Sequence, residues 1–157
     1  MEKKKGLLIS FEGIDGAGKR TQVIKTKEWL EELGEKVVWS SEPNDVSGVF
    51  GTQIRKILKH ELSGPEDPIE FQRIYILDRA QDIFFFIKPA LNEGKIYLME
   101  RFALSTIAYG MLSGKSADFF IEMHKQILGP SMIWPHLTIL LDLPAKVAME
   151  RLDTKGE

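Results

Sequence analysis

Residues 11–22, FEGIDGAGKRTQ, constrain this chain more than any other stretch. Gly13, four residues and then Gly18-Lys19 follow the apolar run GLLISFEG and precede a segment with helical spacing. A glycine-rich turn between strand and helix leaves backbone N–H groups open to wrap an anion, and the helix start adds positive potential. Lys19 would reach the outer phosphates as a point charge. The spacing and context point to a phosphate-binding loop; a plain Gly-rich turn is the alternative. The pattern normally continues with Ser or Thr, whose hydroxyl holds Mg²⁺. Here Arg20 takes that place and Thr21 comes one residue late. Arginine has no acceptor atom, so it cannot coordinate a metal, but it can donate to phosphate oxygens.

Strand-like and helical segments alternate along the rest of the chain. Val23, Ile24, Trp29, Leu30 and Leu33 recur at helical spacing over residues 19–33, with Gly34 as a stop. KVVWSS (36–41), KIYLME (95–100) and HLTILLDL (136–143) read as further strands. EPNDVSG (42–48) is turn chemistry, and 50–62 is helical with Ile54, Ile57 and Leu58 on one side. A long amphipathic stretch runs from Asp67 to about Leu91, and helices are expected over 104–112, 117–128 and from Pro144 to Leu152. This alternation predicts an α/β domain with a mainly parallel sheet, its ligands at the carboxyl ends of the strands. The loops after the first three strands should therefore converge. Glu100 ends the third strand and could hold Mg²⁺ through water; a chance exposed acid is the alternative.

Composition narrows the functions. At 157 residues, one domain over residues 1–157 is expected. A net charge of −2 argues against a general nucleic-acid binder. No apolar run approaches a membrane span, and the N-terminal run is too short for a signal peptide. With no cysteine there is no disulfide or thiolate metal site, which fits a cytoplasmic protein. IFFFI (83–87), between Asp82 and Lys88, reads as a buried helix face or a subunit contact. His60, His124 and His136 have no metal-ligand spacing and suggest surface or core roles.

FEGIDGAGK is followed in order by SEP (41–43), IR (54–55), LDRA (77–80), KPAL (88–91), ERFALSTIAYG (100–110) and TILLDLP (138–144). In this ordered series the chain resembles thymidylate kinase, a P-loop nucleoside-monophosphate kinase family that phosphorylates dTMP with Mg·ATP. The resemblance implies a three-layer α/β/α P-loop NTPase fold. It implies that Gly13, Ile14, Asp15, Gly16, Ala17, Gly18, Lys19, Arg20, Thr21 and Arg151 bind ATP. Arg55 and Arg101 would hold the acceptor phosphate, and Asp15 the sugar 3′-hydroxyl. Tyr75 would stack on thymine, and Arg79 would bond its edge. Ser105 and Thr106 would line the pyrimidine pocket, with Tyr109 crowding out a 2′-hydroxyl. Lys19, Arg20, Arg101 and Asp15 would carry catalysis, with Mg²⁺ at Glu100 through water. A homodimer packed through long helices is also implied.

The residues alone leave plainer readings open. Tyr75 and Arg79, at i and i+4, could be an ordinary helix pair with Arg79 bridged to Asp78 or a nearby acid. Arg20 could face solvent, and the S-T-x-x-Y helix could merely pack. Three departures from the family pattern stand out. Glu100 replaces an Asp, and Gly110 stands where many members have Gln. Members also usually continue past ERLDTKGE, where a lid over ATP begins near Arg151 and Lys155, so the fold is expected to be incomplete at its C-terminal end. Two other functions stay open: nucleotide binding without turnover, and phosphoryl transfer to another nucleotide.

Overall fold

Leu7–Glu12 forms β1, and its apolar residues alternate little because the strand is covered on both faces. The structure, a computed structural model, describes residues 5–44, 46 and 48–155, with Lys155 described by its backbone alone. The other strands are β2 (Val37–Ser41), β3 (Ile96–Glu100) and β4 (Leu137–Leu140). Their order in the sheet is β2-β3-β1-β4, and β1 runs parallel to both β3 and β4. The helices are α1 (Lys19–Glu32), α2 (Val49–Leu58), α3 (Pro68–Asp82), α4 (Lys88–Asn92), α5 (Ala103–Gly110), α6 (Ala117–Leu128) and α7 (Ala145–Lys155). The α/β class and the parallel pairing agree with the sequence pattern.

The chain divides into two compact units. The first takes in residues up to Ser40, Ala90–Arg101 and the segment from Pro135 on. Its core sets Phe11, Val23, Ile96 and Leu98 together, with Ile9, Leu30, Val37, Trp39 and Ile139 packed against them. Only part of the expected α1 stripe is buried: Val23 is covered, while Ile24, Trp29 and Leu33 are exposed. His136 Nδ1 accepts from the Leu8 N–H at 3.0 Å, which ties the start of β4 to β1.

The second unit takes in Ser41–Pro89 and Phe102–Trp134. Asp67 caps α3 by accepting from the Ile69 N–H at 2.8 Å, with Pro68 at the first helical position. The expected long helix is continuous only to Asp82; Ile83–Ile87 widens into a π-helical turn. Pro89 follows and has no N–H to donate back to residue 85. The turn buries Ile83 and Ile87, yet leaves Phe84 at 69% and Phe85 at 58% exposure. The FFFI run is thus split between core and surface.

Candidate functional site

In the first unit the loop after β1 is shaped by its glycines. Gly16 has φ +77°, and a Cβ there would sit 2.6 Å from the Ala148 carbonyl oxygen, so both conformation and space demand glycine. Gly18, at φ +90°, caps α1, and its carbonyl accepts the first helical bond from Gln22 at 3.1 Å. The loop therefore opens into a helix N-terminus, where N–H groups and the helix dipole favour an anion.

Lys19 is only 4% exposed. Its ammonium donates to the Ile14 carbonyl at 2.8 Å and lies 3.8 Å from Asp15 Oδ1. Burial, with Arg101 nearby, pulls its pKa below the usual lysine value. A phosphate would relieve that strain by returning negative charge to a cationic site. Arg101, just after β3, donates to the Gly13 carbonyl at 3.1 Å and pairs with Asp15. Its φ of +67° lies in the left-handed region, a conformation costing on the order of 1–3 kcal/mol in a non-glycine residue. The loops after β1 and β3, two of the three expected to meet, thus converge. Arg151, on α7, adds a bond to the Gly16 carbonyl at 3.3 Å.

Arg20 is paired. Its Nε donates to Glu100 Oε2 at 2.9 Å, and its guanidinium carbon lies 5.9 Å from the centre of the Trp39 ring. The residue in the usual metal-ligand place thus neutralises the acid expected to serve the metal. Glu100 suits a hard cation as an oxygen donor, but one of its oxygens is already engaged. Among the described residues no cluster of three or more acids and histidines could hold a metal. Thr21 and Ile14 are exposed beside the loop.

In the second unit, Arg79 is fully buried. Its Nε donates to Glu42 Oε1 at 3.0 Å and its Nη2 to Glu42 Oε2, a bidentate pair. Nη2 also donates to Thr106 Oγ1 at 3.0 Å, and Nη1 meets His124 Nε2 at 2.6 Å. The guanidinium carbon sits 4.7 Å from the centre of the Phe102 ring. The acid that bridges Arg79 is therefore Glu42; Asp78 instead accepts from the Asn44 N–H at 3.0 Å. Asp82 accepts from the Asn44 side-chain amide at 2.6 Å, so Asp78 and Asp82 grip one asparagine from successive turns of α3.

Three carboxyls of this unit, those of Glu42, Asp78 and Asp82, are buried close to Arg79. Burial outweighs Arg79 and pushes Glu42 up to about 8, burial lifts Asp82 to about 7, and burial raises Asp78 as well. Burial thus opposes the charged form of each carboxyl, while Arg79 and the Asn44 donors favour it.

The remaining expected residues are placed as follows. Arg55 donates to the Pro43 carbonyl at 3.4 Å. Tyr75 meets Phe71 edge-on, with ring centres 5.4 Å apart. Ser105 lies in the first turn of α5, half-buried, and Tyr109 is exposed near its end. A Cβ on Gly110 would lie 2.5 Å from the Phe120 ring, so that ring fills the space a larger side chain at 110 would use. Sequence reasoning gave Asn44 and Asp82 no role, named Glu42 only within the SEP segment, and gave His124 only a surface or core place. A histidine four residues from Phe120 and four from Leu128, on the buried row of α6, was the available signal.

The thymidylate kinase family model matches residues 11–157. A probable thymidylate kinase of Thermococcus gammatolerans is 34% identical over 159 residues, covering 96% of this chain and 72% of that protein. A thymidylate kinase of Pelotomaculum thermopropionicum is 38% identical over 154 residues, covering 97% of this chain and 69% of its own. The crystal structure of thymidylate kinase from Ehrlichia chaffeensis superposes with a TM-score of 0.75 at 27% identity, covering 96% of this chain and 83% of that one.

Proposed function

The chain belongs to the thymidylate kinase family, and from that premise we propose how it acts. It is a nucleoside-monophosphate kinase that transfers the γ-phosphoryl group of ATP to dTMP, giving dTDP and ADP. An oxygen of the acceptor 5′-phosphate forms the new bond to the γ-phosphorus while the bond to the β-bridging oxygen breaks, and ADP carries that oxygen away. The acceptor is already anionic and needs no strong general base, so catalysis is positioning and charge neutralisation. The observation that carries this reading is the loop itself. Its glycines hold backbone N–H groups at the start of α1, and buried Lys19 sits beneath them, in a chain that matches the family from Phe11 on.

The loop residues Gly13 to Thr21 bind the ATP phosphates, and Arg151 closes on the same loop. Lys19 and Arg20 take up developing charge, Arg101 and Arg55 hold the acceptor phosphate, and Asp15 meets the sugar 3′-hydroxyl. The strained backbone of Arg101 supports its role, since such conformations cluster at functional sites. Arg20, now on Glu100, would donate to a phosphate in the nucleotide complex, and Glu100 would then be the residue to hold Mg²⁺ through water. Bound there, Mg²⁺ supplies positive charge to the phosphate oxygens. Thr106 and Arg79, already hydrogen-bonded to each other, read the pyrimidine with Ser105, while Tyr75 stacks and Tyr109 crowds the sugar. Because Arg79 has no exposed surface, the base edge reaches it only by displacing a neighbouring side chain.

No helix among the described residues is long and apolar enough to cross a membrane. The absence of cysteine suits the cytoplasm, where we place the protein. Exposed Phe84 and Phe85 supply an apolar face for a homodimer, and a monomeric mass by sedimentation would remove that part of the proposal.

The test is a coupled assay of ADP release with ATP, Mg²⁺ and a panel of monophosphates. Release stimulated selectively by dTMP is expected. Nucleotide binding without release, in folded protein, would favour a binding role. Release with another acceptor alone would keep the fold and overturn the base-reading residues.

A further inference from the structure

His124 is a fully buried histidine on α6 with a defined tautomer. Its Nδ1 lies 2.6 Å from the Phe120 carbonyl oxygen. A carbonyl oxygen can only accept, so Nδ1 carries the proton. Nε2 is then a lone pair, and it faces Arg79 Nη1 at 2.6 Å, a nitrogen that can only donate. The ring must be neutral here, since a second proton would set an imidazolium against a guanidinium.

Arg79 has five N–H donors. Two go to Glu42, one to Thr106 and one to His124. Glu42 anchors the edge formed by Nε and Nη2. The Nη1 end is held by His124, with the Phe102 ring against the guanidinium face. Fixing one Nη1 hydrogen on His124 fixes the direction of the other, because the guanidinium is planar. That second hydrogen is the donor left for a ligand acceptor.

We propose that His124 is a positioning residue for acceptor recognition, using its Nε2 lone pair to aim the remaining Nη1 hydrogen of Arg79 at the nucleobase. The inference rests on the reading that Arg79 meets the base. It adds that base affinity depends on a residue that never touches the ligand and that must stay unprotonated to act. The groups facing the ring are the Arg79 guanidinium, the Phe120 carbonyl and the Trp134 ring, with Glu42 and Thr106 across the guanidinium.

The test compares full-length wild type with His124→Phe, which keeps a ring without an acceptor, and His124→Gln, which keeps an acceptor at similar reach. His124→Phe is expected to raise KM for dTMP about tenfold, the scale of one charge-assisted hydrogen bond, with KM for ATP unchanged. His124→Gln should restore most of that loss. A folded His124→Phe with wild-type KM for dTMP would overturn the inference, as would an equal rise in both KM values. If His124→Phe does not fold, calorimetric binding of thymidine, which has no phosphate to titrate, gives the second readout. Wild-type affinity should weaken as pH falls towards about 4 while His124→Gln lacks that component, since both proteins keep the carboxyls and only the wild type carries the imidazole. Identical profiles would overturn the inference. A wild type without dTMP-selective turnover would remove the parent reading first, so the two failures are distinguishable.

Discussion

Arg20 and Arg79 each donate through Nε to a glutamate, at 2.9 Å to Glu100 and 3.0 Å to Glu42. The first arginine side chain is 59% exposed, and the second is fully buried. The same chemical pair therefore lives in two dielectrics. An exposed pair gains about 0–1 kcal/mol, since water competes for both partners and side-chain entropy opposes the contact. A buried pair has lost its water, so each partner depends on the other. The difference suits two tasks. Arg20 is a cation that can leave its acid at small cost when a phosphate arrives. Arg79 is held by Glu42, Thr106 and His124 and keeps one orientation. The phosphate loop works with movable charge on a fixed backbone, and the Arg79 group works with fixed side chains.

The largest test of that contrast is Glu42→Ala. It strands the Arg79 guanidinium in the interior and should lower the unfolding free energy by about 3–5 kcal/mol in urea titrations. A loss below about 1 kcal/mol would mean that water enters and the group is not sealed. Lys19→Ala should do the reverse, lowering kcat by roughly 10²–10³ through the loss of charge on the transferring group. Its unfolding midpoint should barely move, because the ammonium is an uncomfortable charge there, pressed by burial and by Arg101. Comparable losses of stability in both variants would erase the distinction between the regions.

A smaller effect should appear in the pH dependence of stability. Glu42 is raised from 4.5 to about 8 and Asp82 from 3.8 to about 7, so the folded chain holds protons that the unfolded chain releases. Stability contributed by these groups therefore falls as pH rises through that window. His124, lowered from 6.5 to about 4, acts oppositely: the unfolded chain binds the extra proton, so stability falls as pH drops from 6.5 towards 4. Between 6.5 and 8 the carboxyls act without His124. The unfolding free energy should decline there by at most about 1.4 kcal/mol per pH unit for each proton released, and the slope should flatten in Glu42→Gln. A rise with pH that Glu42→Gln leaves unaltered would show Glu42 ionised throughout.

The smallest expected change is Arg20→Ser. Stability should shift by under about 1 kcal/mol, as for other exposed pairs, while the Mg²⁺ concentration needed for half-maximal turnover should change because Glu100 is released. If Mg²⁺ dependence and turnover both stay as in wild type, Arg20 has no special part.

The sequence made the loop legible because its determinants are contiguous. Gly13, Gly16, Gly18 and Lys19 lie within one short loop and the helix start after it, and a backbone cradle needs little from distant residues. The strands, the Gly34 stop and the 117–128 helix were legible for the same local reason. Gly34 closes α1 with bonds from its own N–H to the Glu31 carbonyl and from Glu35 to Leu30, the motif glycine favours. The end of α2 was not legible, since His60 takes the corresponding left-handed place at φ +59°. Its N–H bonds the Ile57 carbonyl and that of Glu61 bonds Lys56, which stops the helix at Leu58 rather than at residue 62. A histidine carries no such signal in isolation. The π-helical turn at Ile83–Ile87 was equally silent.

What the sequence determined by itself was the alternation of strand and helix, the phosphate loop and the family motifs, because each is written in near neighbours. Tertiary structure decided which acid Arg79 meets. Asp78 is adjacent in the chain, but Glu42, 37 residues away, supplies both oxygens in the geometry a guanidinium fits. It also decided that Asp82 and Asp78 hold Asn44, and that His124 presents a lone pair rather than a proton. These partners come from segments far apart along the chain, and only folding removes the water that would otherwise make their choice indifferent.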